Sequence, residues 1–102
     1  MDRVALLTEV LSQNPTDAFA RYGLAMEYAK AGEVEPALEE FGKLLANHPD
    51  YTAGYFMAAQ TLAKVDRVEE ARKMLAAGIA SAQKTGNGHA QEEMEAMLAE
   101  LG

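Results

Sequence analysis

Apolar side chains recur every three or four residues along this chain, and runs of β-branched residues are absent. That period puts them on one face of an α-helix, so the pattern predicts helices throughout and no strand. The first helix is expected over Arg3 to Ser12, with Asp2 as N-cap and Val4, Leu7, Val10 and Leu11 on one face. Asn14-Pro15-Thr16-Asp17 ends it and starts the next, because proline has no N–H to donate and Asn, Thr and Asp all cap helices. The second helix runs to about Ala31 and carries Phe19, Tyr22, Leu24, Ala25, Met26 and Tyr28, with Gly32 behind it as a left-handed cap. A third, from about Glu33 to Asn47, tolerates Pro36 in its first turn and buries Leu38, Phe41, Leu44 and Leu45.

His48-Pro49-Asp50 breaks the chain again. The fourth helix, about Tyr51 to Val65, turns Tyr55, Phe56, Ala58, Ala59 and Leu62 inward. Asp66 is expected to cap the fifth, which carries Val68, Ala71, Met74, Leu75, Gly78 and Ile79. Gly86-Asn87-Gly88 reads as a loop before a last helix from His89 to about Glu100, with Met94, Met97, Leu98 and Leu101 as its apolar stripe. Six helices joined by such short connections are antiparallel neighbours.

The pattern also repeats. A shift of 34 residues puts Ala25 on Ala59, Ala29 on Ala63, Lys30 on Lys64, Val34 on Val68, Glu35 on Glu69 and Ala37 on Ala71. The same shift puts Leu11 on Leu45 and Pro15 on Pro49. A period of this size means stacked helix pairs, each unable to bury its apolar face alone. Alanines at positions 25, 59, 37 and 71 let helix backbones approach, and the larger residues around them fill the remaining volume.

These residues resemble the tetratricopeptide repeat, a helix pair with small side chains at the crossing and a closing proline. The first repeat, residues 18–51, offers Leu24-Ala25, Tyr28, Gly32, Ala37, Phe41 and Pro49, and departs from the family at Arg21 and Leu44. The second, residues 52–85, offers Tyr55, Ala58-Ala59, Leu62, Ala71, Leu75 and Gly78, but has Asp66 for the turn glycine and Gln83 for the closing proline. Residues 2–13 then look like the second half of a truncated repeat, and residues 89–101 like a capping helix that is polar outside. The resemblance implies an all-α, right-handed α-α superhelix of a small bacterial type.

It also implies where a partner lies, because the first helix of each pair lines the concave face in this family. Those positions are Phe19, Tyr22, Met26, Ala29 and Lys30 in the first repeat, and Ala53, Phe56, Gln60, Ala63 and Lys64 in the second. A subgroup of the family clamps C-terminal carboxylates with several Lys, Arg and Asn; here only Lys30 and Lys64 are basic, which argues against such a clamp. An apolar and aromatic groove suits an amphipathic helix or a hydrophobic peptide. Three other uses of these side chains stay open: internal packing of Phe19, Tyr22 and Phe56, filling of the groove by the last helix, and pairing of two copies.

Composition narrows the chemistry. A chain of 102 residues with 49% hydrophobic side chains folds as one domain without staples, and cysteine is absent. Its formal charge of -7, from 9 basic and 16 acidic residues, disfavours nucleic acid and anionic lipid. That acidity serves solubility, or an acidic face that meets a basic partner. Met1-Asp2-Arg3-Val4 lacks the features of a secretion signal, and no apolar run reaches the ~18 residues of a membrane span, so a cytoplasmic protein is expected. His48 and His89 have no ligand-spaced companions, and Ser12 and Ser81 have no histidine at a suggestive spacing. Gly86-Asn87-Gly88 lacks the strand and the Lys-Ser or Lys-Thr of a phosphate loop, and Glu39-Glu40, Glu69-Glu70 and Glu92-Glu93 read as solvated helix faces. The expectation is a non-enzymatic binding module with no cofactor or metal, a protein or peptide partner, and a monomeric or weakly dimeric state.

Overall fold

The computed structural model describes residues 2–102, and the described residues form six α-helices and no strand. They are α1 (Arg3–Gln13), α2 (Ala18–Lys30), α3 (Val34–Asn47), α4 (Thr52–Lys64), α5 (Val68–Thr85) and α6 (Gly88–Leu101). The chain divides into two compact units, the first ending at His48 and the second Pro49–Gly102.

In the first unit α2 packs between α1 and α3. Asp2 caps α1 through a bond from Ala5 N–H at 2.8 Å, and Asp17 caps α2 through Ala20 N–H at 2.9 Å. Each carboxylate satisfies one of the orphan donors of a first turn. Leu7 and Leu11 of α1 meet Ala20 and Leu24 of α2, with Val4 and Tyr28 at the edge of the cluster. Ala25 and Ala37 are fully buried on the packed pair α2 and α3, and Phe41 and Leu44 close the core beside them. His48 Nε2 lies 2.7 Å from the carbonyl oxygen of Thr16, tying the end of α3 to the α1–α2 turn.

Arg21, a departure from the repeat pattern, lies in this packed layer. Its guanidinium donates to Glu40 Oε1 at 2.7 Å and to the Pro15 carbonyl at 2.8 Å. Lys43 adds a second cation 3.6 Å from Glu40.

The second unit repeats the arrangement and adds a helix. Ala58, Ala59, Ala71 and Leu75 are fully buried on α4 and α5. Helix α6 packs on α5 and touches α4. Gly78 of α5 makes this possible: a Cβ built there would stand 2.5 Å from Met94 Sδ of α6 and 2.6 Å from Tyr55 Cβ of α4. Met94 is buried in that contact. Arg72 of α5 donates to the carbonyls of Leu101, at 3.1 Å, and Gly102, holding the C-terminal end of α6 where the helix dipole favours a cation.

Two helix boundaries differ from the sequence reading. Asp66 does not cap α5; Arg67 holds the N-cap place and makes no side-chain cap bond. Asp66 instead takes the left-handed conformation, φ 63°, that Gly32 takes at φ 78° in the first unit. The two turns close alike, with Glu33 N–H on the Tyr28 carbonyl at 2.9 Å and Arg67 N–H on the Leu62 carbonyl at 3.0 Å. Asp66 is therefore the helix-ending residue of α4, in the place of the turn glycine. Gly88 belongs to α6 rather than to a loop, because Asn87 Oδ1 accepts from Ala90 N–H at 3.2 Å and starts the helix one residue early.

Candidate functional site

The expected groove positions fall on α2 and α4, one set in each unit. On α2, Phe19 is 78% exposed, whereas Tyr22 sets its ring edge against Phe41 at 6.4 Å and 66°. Tyr22 is thus shared between surface and core. Met26 and Ala29 are half-buried. Lys30 is exposed with Nζ 3.9 Å from Glu27, which also receives Arg3 Nε at 3.1 Å, so the end of α2 carries mixed charge.

On α4, Phe56 and Gln60 are one helical turn apart and half-buried. They form one wall of an open depression of about 370 Å³. The opposite wall is α6, through Glu93, Ala96, Met97 and Glu100. Ala53 and Lys64 are exposed at the two ends of α4, and Ala63 is half-buried. Along α6, Met94 turns to α5, and Met97 faces the depression.

Contact of the last helix with this face was one of the uses the sequence left open, through Met94, Met97 and Leu98; the parts of Glu93, Ala96 and Glu100 in the wall were not foreseen. The signal for an α6 wall was present in the step from Thr52 to Gly88, only two residues longer than the 34-residue register, which makes α6 the counterpart of α4 and α2.

The depression is lined by both polar and apolar side chains. Gln60 offers an amide, Glu93 and Glu100 offer carboxylates, and Phe56, Ala96 and Met97 supply apolar area. Burial, and then the charge of Asp50, raise the pKa of Tyr55; a hydrogen bond from Arg67 lowers that of Glu70. Neither residue lines the depression. Among the described residues no cluster of His, Cys, Asp and Glu is placed to hold a metal ion, and no helix is long and apolar enough to cross a membrane. Leu6 and Val10, one turn apart on α1, form a second exposed apolar patch.

Paired helices at a 34-residue step, alanines at the crossings and left-handed turns between the helices define a helical repeat protein. The tetratricopeptide repeat family model matches residues 28–101, and the chain belongs to that family. A TPR repeat-containing protein of Pseudomonas aeruginosa is 28% identical over 95 residues, covering 93% of this chain and 90% of its own length. The solution structure of a tetratricopeptide repeat domain protein from Salinibacter ruber superposes with a TM-score of 0.79 at 30% identity, over 85% of this chain and 88% of that one. A Bordetella parapertussis protein, 24% identical, shares the fold with a TM-score of 0.84 over 99% of this chain and 88% of its own.

Proposed function

We propose that this chain is a non-catalytic protein-docking module that takes a peptide or amphipathic helix on the exposed faces of its first-position helices. The observation that carries this reading is the depression between α4 and α6, apolar at Phe56, Ala96 and Met97 and open to solvent. Such a surface offers area for an apolar anchor together with polar groups to orient it. Membership of the family supports the general role, since these repeats serve in protein–protein interaction.

The repeat boundaries belong to the same proposal: a half-repeat at 2–13, repeats at 18–51 and 52–85, and a capping helix at 89–101. In its favour, Leu6 and Val10 of α1 stand 34 residues before Glu40 and Leu44, which α3 buries. A helix with no first-position partner would leave just that face bare. The same bare face favours a second reading, self-association through α1.

A random-peptide library panned against the whole chain tests the docking role. Peptides that bind the wild type should lose binding to Phe56→Ala, while the melting temperature moves by only a few degrees. Peptides that bind both proteins equally would remove the α4–α6 depression from the proposal.

A further inference from the structure

The depression between α4 and α6 has a sign of charge, and that sign selects its occupant. We infer that it accepts a segment whose apolar anchor residue is flanked on both sides by Lys or Arg; this rests on the docking role proposed above. Glu93 and Glu100 lie on one wall, two helical turns or about 10.5 Å apart along α6, with Ala96 and Met97 between them. None of the six residues that line the depression is basic. Glu93 has His89 3.5 Å away, and Glu100 has no ion pair among the described residues.

The spacing sets the ligand. An apolar side chain seated on Phe56 and Met97 brings its neighbours over Glu93 on one side and Glu100 on the other. Bases about 10 Å apart are seven residues apart in a helix or three apart in an extended strand. The Gln60 amide on the opposite wall is left for the backbone or a polar side chain of the guest.

Other occupants are disfavoured by the same groups. A neutral apolar peptide would strip water from two carboxylates and return no partner for them. An acidic peptide would be repelled. A second copy brings a further formal charge of -7 to a surface that is already acidic.

The peptides selected against the whole chain test this inference. Lys or Arg should be enriched on both sides of an apolar residue in the Phe56-dependent peptides. Binding of those peptides should fall roughly fivefold to thirtyfold at low salt in Glu93→Gln with Glu100→Gln. The control Glu92→Gln with Glu95→Gln removes the same charge from the same helix outside the depression, and should change binding by about twofold or less. Raising the salt concentration should erase the difference.

Phe56-dependent peptides that are neutral or acidic would overturn the basic partner and leave the docking role standing. Equal losses in the two Glu pairs would also overturn it, because overall acidity and not the groove would then be felt. Binding indifferent to Phe56 would overturn the inference and remove the α4–α6 depression from the docking role.

Discussion

Arg21 and Tyr55, 34 residues apart, make the same hydrogen bond: each donates at 2.8 Å to the carbonyl of the proline six residues before it, Pro15 and Pro49. The repeat keeps the bond and changes the side chain. The charge this brings to the first unit is met by Glu40, whose side chain and that of Arg21 are only 11% and 14% exposed. In the second unit the place of Glu40 is held by Met74.

The pair should therefore be exchangeable as a pair and not singly. Glu40→Met leaves the Arg21 guanidinium buried without its carboxylate and should cost about 2–4 kcal/mol. Arg21→Tyr with Glu40→Met copies the second unit and should unfold within about 1 kcal/mol of the wild type. Urea unfolding of the three proteins measures both quantities. A double variant as weak as the single one would refute the equivalence.

Asp66 holds a left-handed conformation that glycine adopts without the steric cost of a Cβ. Asp66→Gly should stabilise the chain by about 0.5–1 kcal/mol, read as a rise in the denaturation midpoint. Gly32→Ala should do the opposite by a similar amount, and nothing stands within 4 Å of the added Cβ to confuse the result.

Gly78 is required for a different reason, the approach of Tyr55 and Met94. The Met94 thioether can swing away, but Tyr55 Cβ is fixed to its backbone, so Gly78→Ala should cost about 1–3 kcal/mol. Gly42→Ala, inside α3 with no atom within 4 Å, should instead gain about 1 kcal/mol from helix propensity. Met94→Ala should cost about 2–4 kcal/mol, and removal of residues 88–102 more than that. An unchanged melting curve for the shortened chain would show that α6 caps nothing.

Tyr55 makes the second unit sensitive to alkali. Burial, and then Asp50, raise the pKa of its hydroxyl above the ordinary value of 10.0. A raised acid is favoured in its neutral form by folding, so this stabilisation is complete below the unfolded value and is lost as pH rises through the folded one. Stability should fall above about pH 10 and fall less in Tyr55→Phe, which also loses about 1 kcal/mol at neutral pH with the bond to Pro49. A pH series of urea unfolding curves follows both effects.

Much of this architecture was legible because the helix period and the 34-residue step are spacings between side-chain types along the chain, which need no tertiary contact to be read. Ala25, Ala37, Ala59 and Ala71 were expected at close crossings and are fully buried. The repeat register puts Asp66 in the place of the turn glycine, where it lies; only its expected role as cap of α5 fails, because aspartate is both a helix cap and a tolerated left-handed residue, and only the backbone decides between them. Arg21 read as a departure since its partners, Glu40 and Pro15, are chosen by tertiary packing. Phe56 and Gln60, expected on the concave face, line the depression, and Met97 of the last helix was one of the side chains that could reach that face, whereas Glu93, Ala96 and Glu100 were not anticipated there. Their helix had been expected to cover apolar surface, and the sequence pattern alone does not tell which flank of a half-apolar helix remains open.

The most direct test of the account is whether the α4–α6 depression is free for a separate partner. Light scattering from low to high micromolar concentration reads this from the mass. A constant value near the monomer mass of 11.0 kDa is the predicted result. A mass that climbs to that of a dimer, and returns to the monomer in Phe56→Ala, would show the depression occupied by a second copy and contradict the account.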